Sequence, residues 1–292
     1  MHYLCLSLVR PHRLQKINVP PKRIEAMAFG KRIIEIAMEN GATLAGIASM
    51  EALKLSASHT IYNKLDDYAG VGTVKDDALP GNQLFNWPDS AMSVLVIGLS
   101  HPKDKPELDW WDGKGTPGNR TLIDIIKRTS QQIENELKIN THRIHYYVEK
   151  GGIFLKDAAV LAGLGCIGKN NMLITPSIGP RVRLRALLLD IEINPTGPVT
   201  FDPCADCKVD CRRICPECAM DEKAPIFETI NVYVDLPARD GAYNRGICNE
   251  RMEKDIKESK KNITGEQAPI KYCRKYEFVC PVGKKNRAKN AI

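Results

Sequence analysis

The sequence predicts a layered domain of α/β or α+β class followed by a small cysteine-rich module. Three observations lead there. The chain has 292 residues, 43% hydrophobic and 26% charged, a globular composition long enough for one large or two ordinary domains. Helical and strand patterns alternate through the front of the chain. Eight of the ten cysteines lie after residue 203.

A mainly disordered, fibrous or low-complexity protein is excluded by that composition. No apolar run approaches the ~20 residues that cross a bilayer, so no membrane partner is expected. Met1 to Val9 has neither a basic flank before it nor a small-residue cleavage site. It reads as an ordinary terminus, and the protein as cytoplasmic. The net charge of +7 is concentrated at the end, where Lys271 to Ile292 carries seven Lys/Arg against one Glu. That tail is a solvated end, a phosphate-contacting patch or a dock for an acidic redox partner.

The elements follow from periodicity. Ile24 to Met38 repeats apolar residues at helical spacing, and Asn40-Gly41 supplies a left-handed stop. Leu44 to Ala48 is a short buried strand, and a helix is expected around Thr60 to Tyr68. Met92 to Leu99 is a continuous apolar run between prolines, as a central strand requires. Trp110-Trp111, among glycines and Pro117, marks a loop. Leu122 to Leu137 is an amphipathic helix. His145 to Val148 reads as a strand, Phe154 to Leu164 as a buried helix closed by Gly165, and Leu184 to Ile193 as a further strand. Arg181, Arg183 and Arg185 alternate, so they share one strand face. The boundary falls at Pro195-Thr196-Gly197-Pro198, dividing the chain into 1–195 and 196–292. Beyond it apolar residues are too few for an independent core, so metal centres are expected to hold the segment together.

Dense cysteine without an export signal points to metal binding or catalysis rather than disulfides. Cys204, Cys207, Cys211 and Cys215-Pro216 reproduce the bacterial ferredoxin run with one extra residue between the second and third cysteines. Cys218 follows, then Cys248, then Cys273 and Cys280-Pro281, where Tyr276 stands in place of a cysteine. Eight cysteines match the eight thiolates of two 4Fe-4S cubanes. Crossed ligation assigns Cys204, Cys207, Cys211 and Cys280 to one cluster. Cys215, Cys248 and Cys273 would hold the other, with Cys218 or Tyr276 as its fourth donor. Thiolate is the softer of those two donors. A four-cysteine zinc knuckle is the alternative. Cys5 and Cys166 stand outside the clusters, Cys166 as a small buried side chain.

The segment from Glu149 to Asn171, containing Ala162-Gly163-Leu164-Gly165-Cys166-Ile167-Gly168-Lys169-Asn170, resembles the central signature of the epoxyqueuosine reductase family. As in that family, a strand and then the ferredoxin cysteines follow, and reductive dehalogenases share the general plan. The resemblance implies an α+β protein: a nitroreductase-like front domain holding cobalamin, then a ferredoxin-like two-cluster module that feeds it electrons. It implies an oxidoreductase served by an external low-potential electron donor, acting on a small-molecule or tRNA-borne substrate. The family's catalytic carboxylate falls on Glu149, with Glu in place of Asp. Gly163, Gly165 and Gly168 would let the backbone approach the cofactor, and Lys169, Asn170 and Asn171 would bind corrin amides. Arg181 and Arg183 would meet its amide or phosphate groups. Two functions of other classes fit the same residues: an electron-transfer protein that reduces a separate corrinoid protein, and a zinc-stabilised RNA-binding module.

Overall fold

The computed structural model describes residues 21–62, 87–221, 242–261 and 268–283. Its centre is a four-stranded sheet in the order β1 (Leu44–Ser49), β2 (Ser93–Ser100), β6 (Val182–Leu189) and β3 (Thr141–Arg143). All three pairings are antiparallel, which settles the class as α+β. Two further short strands, β4 (Cys166–Ile167) and β5 (Leu173–Ile174), pair separately.

Helices cover both faces of the sheet. The uninterrupted apolar run of β2 follows from this, since alternate side chains enter two cores. Leu95 and Ile97 face α1 (Pro21–Glu39) and α4 (Pro117–Leu137), with Ile33, Ile36, Leu122, Ile125 and Ile133. Val94 and Val96 face α2 (Met50–Lys54) and α5 (Leu155–Leu161), with Leu53, Ala158 and Ala159. Ile97 is wholly buried. Ile97→Ala should therefore lower stability by about 2–5 kcal/mol, measurable as a shifted urea midpoint with an unchanged slope.

Local chemistry sets the element ends. α4 begins earlier than its apolar stripe, because the Thr116 side chain caps Asn119 N–H and Pro117 occupies the first helical position. α5 ends earlier than expected. Gly163, at φ 73°, closes it, with Gly163 N–H donating to Val160 O and Leu164 N–H to Ala159 O. The strand expected over Leu184 to Ile193 is instead Val182–Leu189. Ile193 turns back into the α1/α4 core, its N–H bonded to Ser93 Oγ.

One expected strand is absent. His145 to Tyr147 lies outside the sheet, and Val148–Lys150 forms a 3₁₀ turn ended by Gly151 at φ 85°. The physical reason is local packing: Tyr147 N–H donates to the His145 ring, and Tyr146 and Tyr147 pack edge to face. β-propensity yields to those contacts. Of the helix expected around Thr60 to Tyr68, α3 (Ala57–Tyr62) is described, and the remainder lies outside the described residues. Among the described residues no helix is long and apolar enough to cross a membrane.

α3 is fixed to α5 by Ser58, whose N–H and hydroxyl both donate to buried Asp157. Beside it His59 lies edge-on to Trp87 and Phe154. Burial lowers its pKa to about 3. The unfolded chain binds that proton at the ordinary value near 6.5. Stability supplied by neutral His59 is therefore complete above about pH 6.5 and declines toward pH 3, at up to about 1.4 kcal/mol per pH unit. Melting temperatures from pH 7 to 4 should fall more steeply for the wild type than for His59→Gln.

Beyond the sheet, Thr196 closes the front domain. Its N–H bonds Ile47 O, and its hydroxyl accepts from Ile47 N and donates to Ala162 O. Three helices follow among the described residues: α6 (Asp210–Arg213), α7 (Arg245–Lys261) and α8 (Lys275–Val279).

Candidate functional site

A cavity of about 930 Å³ lies between the sheet and the cysteine-rich segment. Its front wall comes from the start of β6, the first turn of α4, the His145–Val148 segment and the Asn170–Leu173 turn. Its back wall carries Cys215, Cys248, Cys273 and Tyr276. Aromatic side chains frame it, with Trp111, Tyr146, Tyr147 and Phe154 on the front and Tyr243 and Tyr272 on the back.

The nine described cysteines are all free thiols. Burial, and then the neighbouring Cys204, Cys280 and Cys207, pushes the Cys211 thiol up to about 11. Cys280 is raised by burial too, with Cys204 and Cys207 beside it. The structure thus brings these four together. Val209, inside the longer spacer, has φ 58°, a left-handed conformation rare for a β-branched residue. It starts α6, which carries Cys211.

The other cysteines gather nearer the cavity. Cys215 lies beside Cys273 and Cys218. Cys248 and Tyr276 pack together against Met220 and Tyr243. Burial, then the Glu277 charge, holds the Tyr276 phenol well above its ordinary range. Cys218 is exposed, and its thiol is raised by its bond to Asp221. Among the described residues no three His, Cys, Asp or Glu side chains converge as ligands of a single ion.

A buried ionic network joins the two walls. Glu277 of α8, 1% exposed, accepts from Arg183 of β6 at 2.8 and 3.3 Å. It also accepts from Arg274 Nε and Nη2 at 3.0 and 2.8 Å. Asp109 completes the ring. It pairs with Arg183 Nε at 3.1 Å and His101 Nδ1 at 2.9 Å, and also with Arg274 Nη1. Burial draws Asp109 upward, but His101 and the two arginines outweigh it and leave the carboxyl below its usual range. Burial likewise opposes the Arg183 charge, and Glu277 and Asp109 more than offset it. Both carboxylates and both arginines line the cavity. Sequence reading missed Asp109, Arg274 and Glu277; the one available signal was an Arg–Glu pair three residues apart inside a short cysteine-bounded segment.

The expected cofactor contacts divide. Asn170, Asn171 and Arg183 line the cavity. Asn170 is 2% exposed, and its Nδ2 has no hydrogen-bond partner among the described residues. Lys156 Nζ donates to Asn171 O and Oδ1. Neither Lys169 nor any of the three glycines is among the described cavity residues. The close approaches at the glycines are to protein instead: a Cβ would stand 2.7 Å from Thr196 O at Gly163, 2.0 Å from Ile174 O at Gly165 and 2.6 Å from Ile174 Cγ1 at Gly168. Lys169 meets the cysteine module through its carbonyl, which accepts from Arg212 Nε at 2.9 Å. Arg181 is likewise occupied by protein, donating to Glu277 O and Val282 O. Cys166 is half-buried rather than buried. Glu149 sits in the 3₁₀ turn next to Val148, a cavity residue; its side chain, like Cys5 and the tail from Lys284, lies outside the described residues.

Trp111 both lines the cavity and pairs with Ile270 through two backbone hydrogen bonds. Lys271 Nζ sits 4.3 Å from the Trp110 ring. The aromatic loop thus serves the junction between the front domain and the cysteine-rich segment.

No protein-family model matches the chain. It is 25% identical over 212 residues to epoxyqueuosine reductase of Staphylococcus aureus, covering 68% of this chain and 54% of that protein. It is 36% identical over 78 residues to tetrachloroethene reductive dehalogenase of Sulfurospirillum multivorans, covering 26% and 15%. The fold aligns with epoxyqueuosine reductase from Streptococcus thermophilus at a TM-score of 0.57 and 20% identity, covering 88% and 66%. It aligns equally, at 0.57 and 18% identity over 87% and 65%, with an epoxyqueuosine reductase bound to an epoxyqueuosine-modified tRNA-Tyr stem loop. The chain spans about half the length of the Staphylococcus relative. In sequence the chain is thus similar to epoxyqueuosine reductases and, over a shorter stretch, to reductive dehalogenases, and it shares the fold of the former.

Proposed function

We propose that the protein is a cobalamin-dependent iron–sulfur oxidoreductase, with residues 1–195 as a nitroreductase-like cofactor and substrate domain and 196–292 as a ferredoxin-like module. The observation that carries this reading is the shared wall. Cys215, Cys248 and Cys273 open on the same cavity as the family-signature residues Asn170 and Asn171. The residues present fit the groups proposed. Soft thiolates in two neighbouring sets suit iron–sulfur clusters, and the orphaned Asn170 Nδ2 suits an amide-bearing ligand.

When bound, the clusters would supply one-electron relay and the corrinoid two-electron reduction. The protein's own residues do the rest. Cys204, Cys207, Cys211 and Cys280 would hold one cluster, and Cys215, Cys248 and Cys273 the other, completed by Cys218 or Tyr276. The Arg183–Glu277–Arg274–Asp109 ring holds α8, and so Cys273 and Cys280, against the sheet. Trp111, Tyr146 and Tyr147 narrow the water-filled volume around a bound substrate. Glu149 holds the proton that reduction consumes.

Electrons would come from an external low-potential donor. The substrate is a tRNA-borne nucleoside, as in the solved stem-loop complex, or a small molecule, and the setting is the cytoplasm. Titrating cobalamin into the anaerobic, iron-loaded protein tests the reading. Co-elution on gel filtration with a changed cobalt spectrum is expected. No binding would leave an electron-transfer protein acting on a separate corrinoid carrier. Glu149→Gln should lower turnover of epoxyqueuosine-containing tRNA about 10²- to 10⁴-fold with iron content unchanged, and unaltered turnover would remove Glu149 from the mechanism.

A further inference from the structure

Three arginines alternate at and just before the start of β6, and the protein uses them differently. Arg181 binds backbone oxygens of the C-terminal segment. Arg183 is neutralised by Glu277 and Asp109. Arg185 has no carboxylate within ion-pair distance among the described residues. Its Nη2 donates to Asn119 Oδ1 at 2.7 Å. Its guanidinium carbon lies 4.8 Å from the centre of the Tyr146 ring. Its Nε is buried and has no hydrogen-bond partner among the described residues.

Arg185 stands in the wall of the 930 Å³ cavity and also of a second one of about 560 Å³ beside β3. Arg185 is half-buried, and a cation partly withdrawn from water without a counter-ion is one that proteins normally pair. Burial lowers the Arg185 pKa, in contrast to Arg183, where two carboxylates reverse that effect. A guanidinium with donors to spare matches the planar acceptors of a carboxylate or phosphate. Asn119 also lines the cavity: its Oδ1 receives Arg185, so the same amide retains Nδ2 as a donor.

We infer that Arg185, with Asn119, is an anion-recognition site of the cavity that takes a carboxylate or phosphate group of the bound molecule. Arg185 is thereby a specificity-determining residue, one whose charge the fold leaves for a ligand to balance. The inference stands whether or not the module carries iron. The anion is either a phosphodiester belonging to a cofactor or an acidic group belonging to a substrate.

Calorimetric titration of the full chain with inorganic phosphate, benzoate and the neutral isostere benzamide provides the test. The wild type should bind phosphate and should prefer benzoate over benzamide at least ten-fold. Arg185→Gln should weaken phosphate at least ten-fold and abolish that preference, and Arg185→Lys should retain part of both. Should Arg185→Gln not fold, Asn119→Leu is expected to weaken phosphate several-fold. Failure of the wild type to bind either anion, or equal binding by the wild type and Arg185→Gln, would overturn the inference. Cobalamin and cobinamide, which differ by the phosphodiester-bearing tail, separate the two sources. A ten-fold loss in Arg185→Gln for cobalamin alone assigns the anion to the cofactor. Unchanged cobalamin binding with weakened phosphate and benzoate assigns it to the substrate.

Discussion

Glu277→Ala is expected to destabilise the protein by about 3–5 kcal/mol, because removing one member of a buried ion network leaves its partners charged and dry. Glu277 is 1% exposed and accepts from both Arg183 and Arg274. Without it, Asp109, which already serves His101, is the one carboxylate left to both guanidiniums among the described residues. The loss would be visible as a lower denaturant midpoint. Glu277→Gln keeps the shape without the charge and should fall between the wild type and alanine. Because α8 lies between Cys273 and Cys280, the same variant should reduce iron retention by the module. A stability change within about 0.5 kcal/mol, the usual range of surface substitutions, would show that the network is not what fixes α8.

Cys211→Ala and Cys273→Ala are each expected to remove about half of the iron, one cubane of about four atoms, and to do so independently. The expectation follows from the two sets of thiols. Cys211 interacts with Cys204, Cys207 and Cys280, whereas Cys273 lies beside Cys215 and faces the cavity. Iron analysis with electron paramagnetic resonance of each reduced variant would distinguish the residual cluster. Loss of all iron in both variants would mean that the two sets fold as one unit. Cys218→Ala resolves the remaining ligand: a loss like that of Cys273→Ala assigns Cys218 to the same cluster, and unaltered iron assigns the position to Tyr276.

Periodicity made the sheet core legible in the sequence. The run around Val94–Ile97 read as a central strand and the stripe from Leu122 to Ile133 as an amphipathic helix, and the structure packs them as one layer on another. What stayed hidden was set by contacts distant in sequence or by local geometry. The register of β6 against β2 makes the sheet antiparallel, and no periodicity reports strand direction. His145 to Tyr147 has strand-like composition but leaves the sheet for its own aromatic packing. The glycines of the family signature were legible as close-approach positions, yet what they approach at Gly163 and Gly165 is the carbonyl of Thr196 and of Ile174. The cysteine spacing was legible as a candidate ligand set, and Cys215, Cys248 and Cys273 of that set line the cavity. The Asp109–Arg274 contact, spanning 165 positions between residues 109 and 274, could not be read because no short motif encodes it.

Iron and acid-labile sulfide, quantified on protein purified without oxygen, bear most directly on the claim that the cysteine-rich wall is a pair of iron–sulfur clusters. The account predicts about eight irons and about eight sulfides per chain, two cubanes' worth. Stoichiometric zinc without sulfide would contradict it.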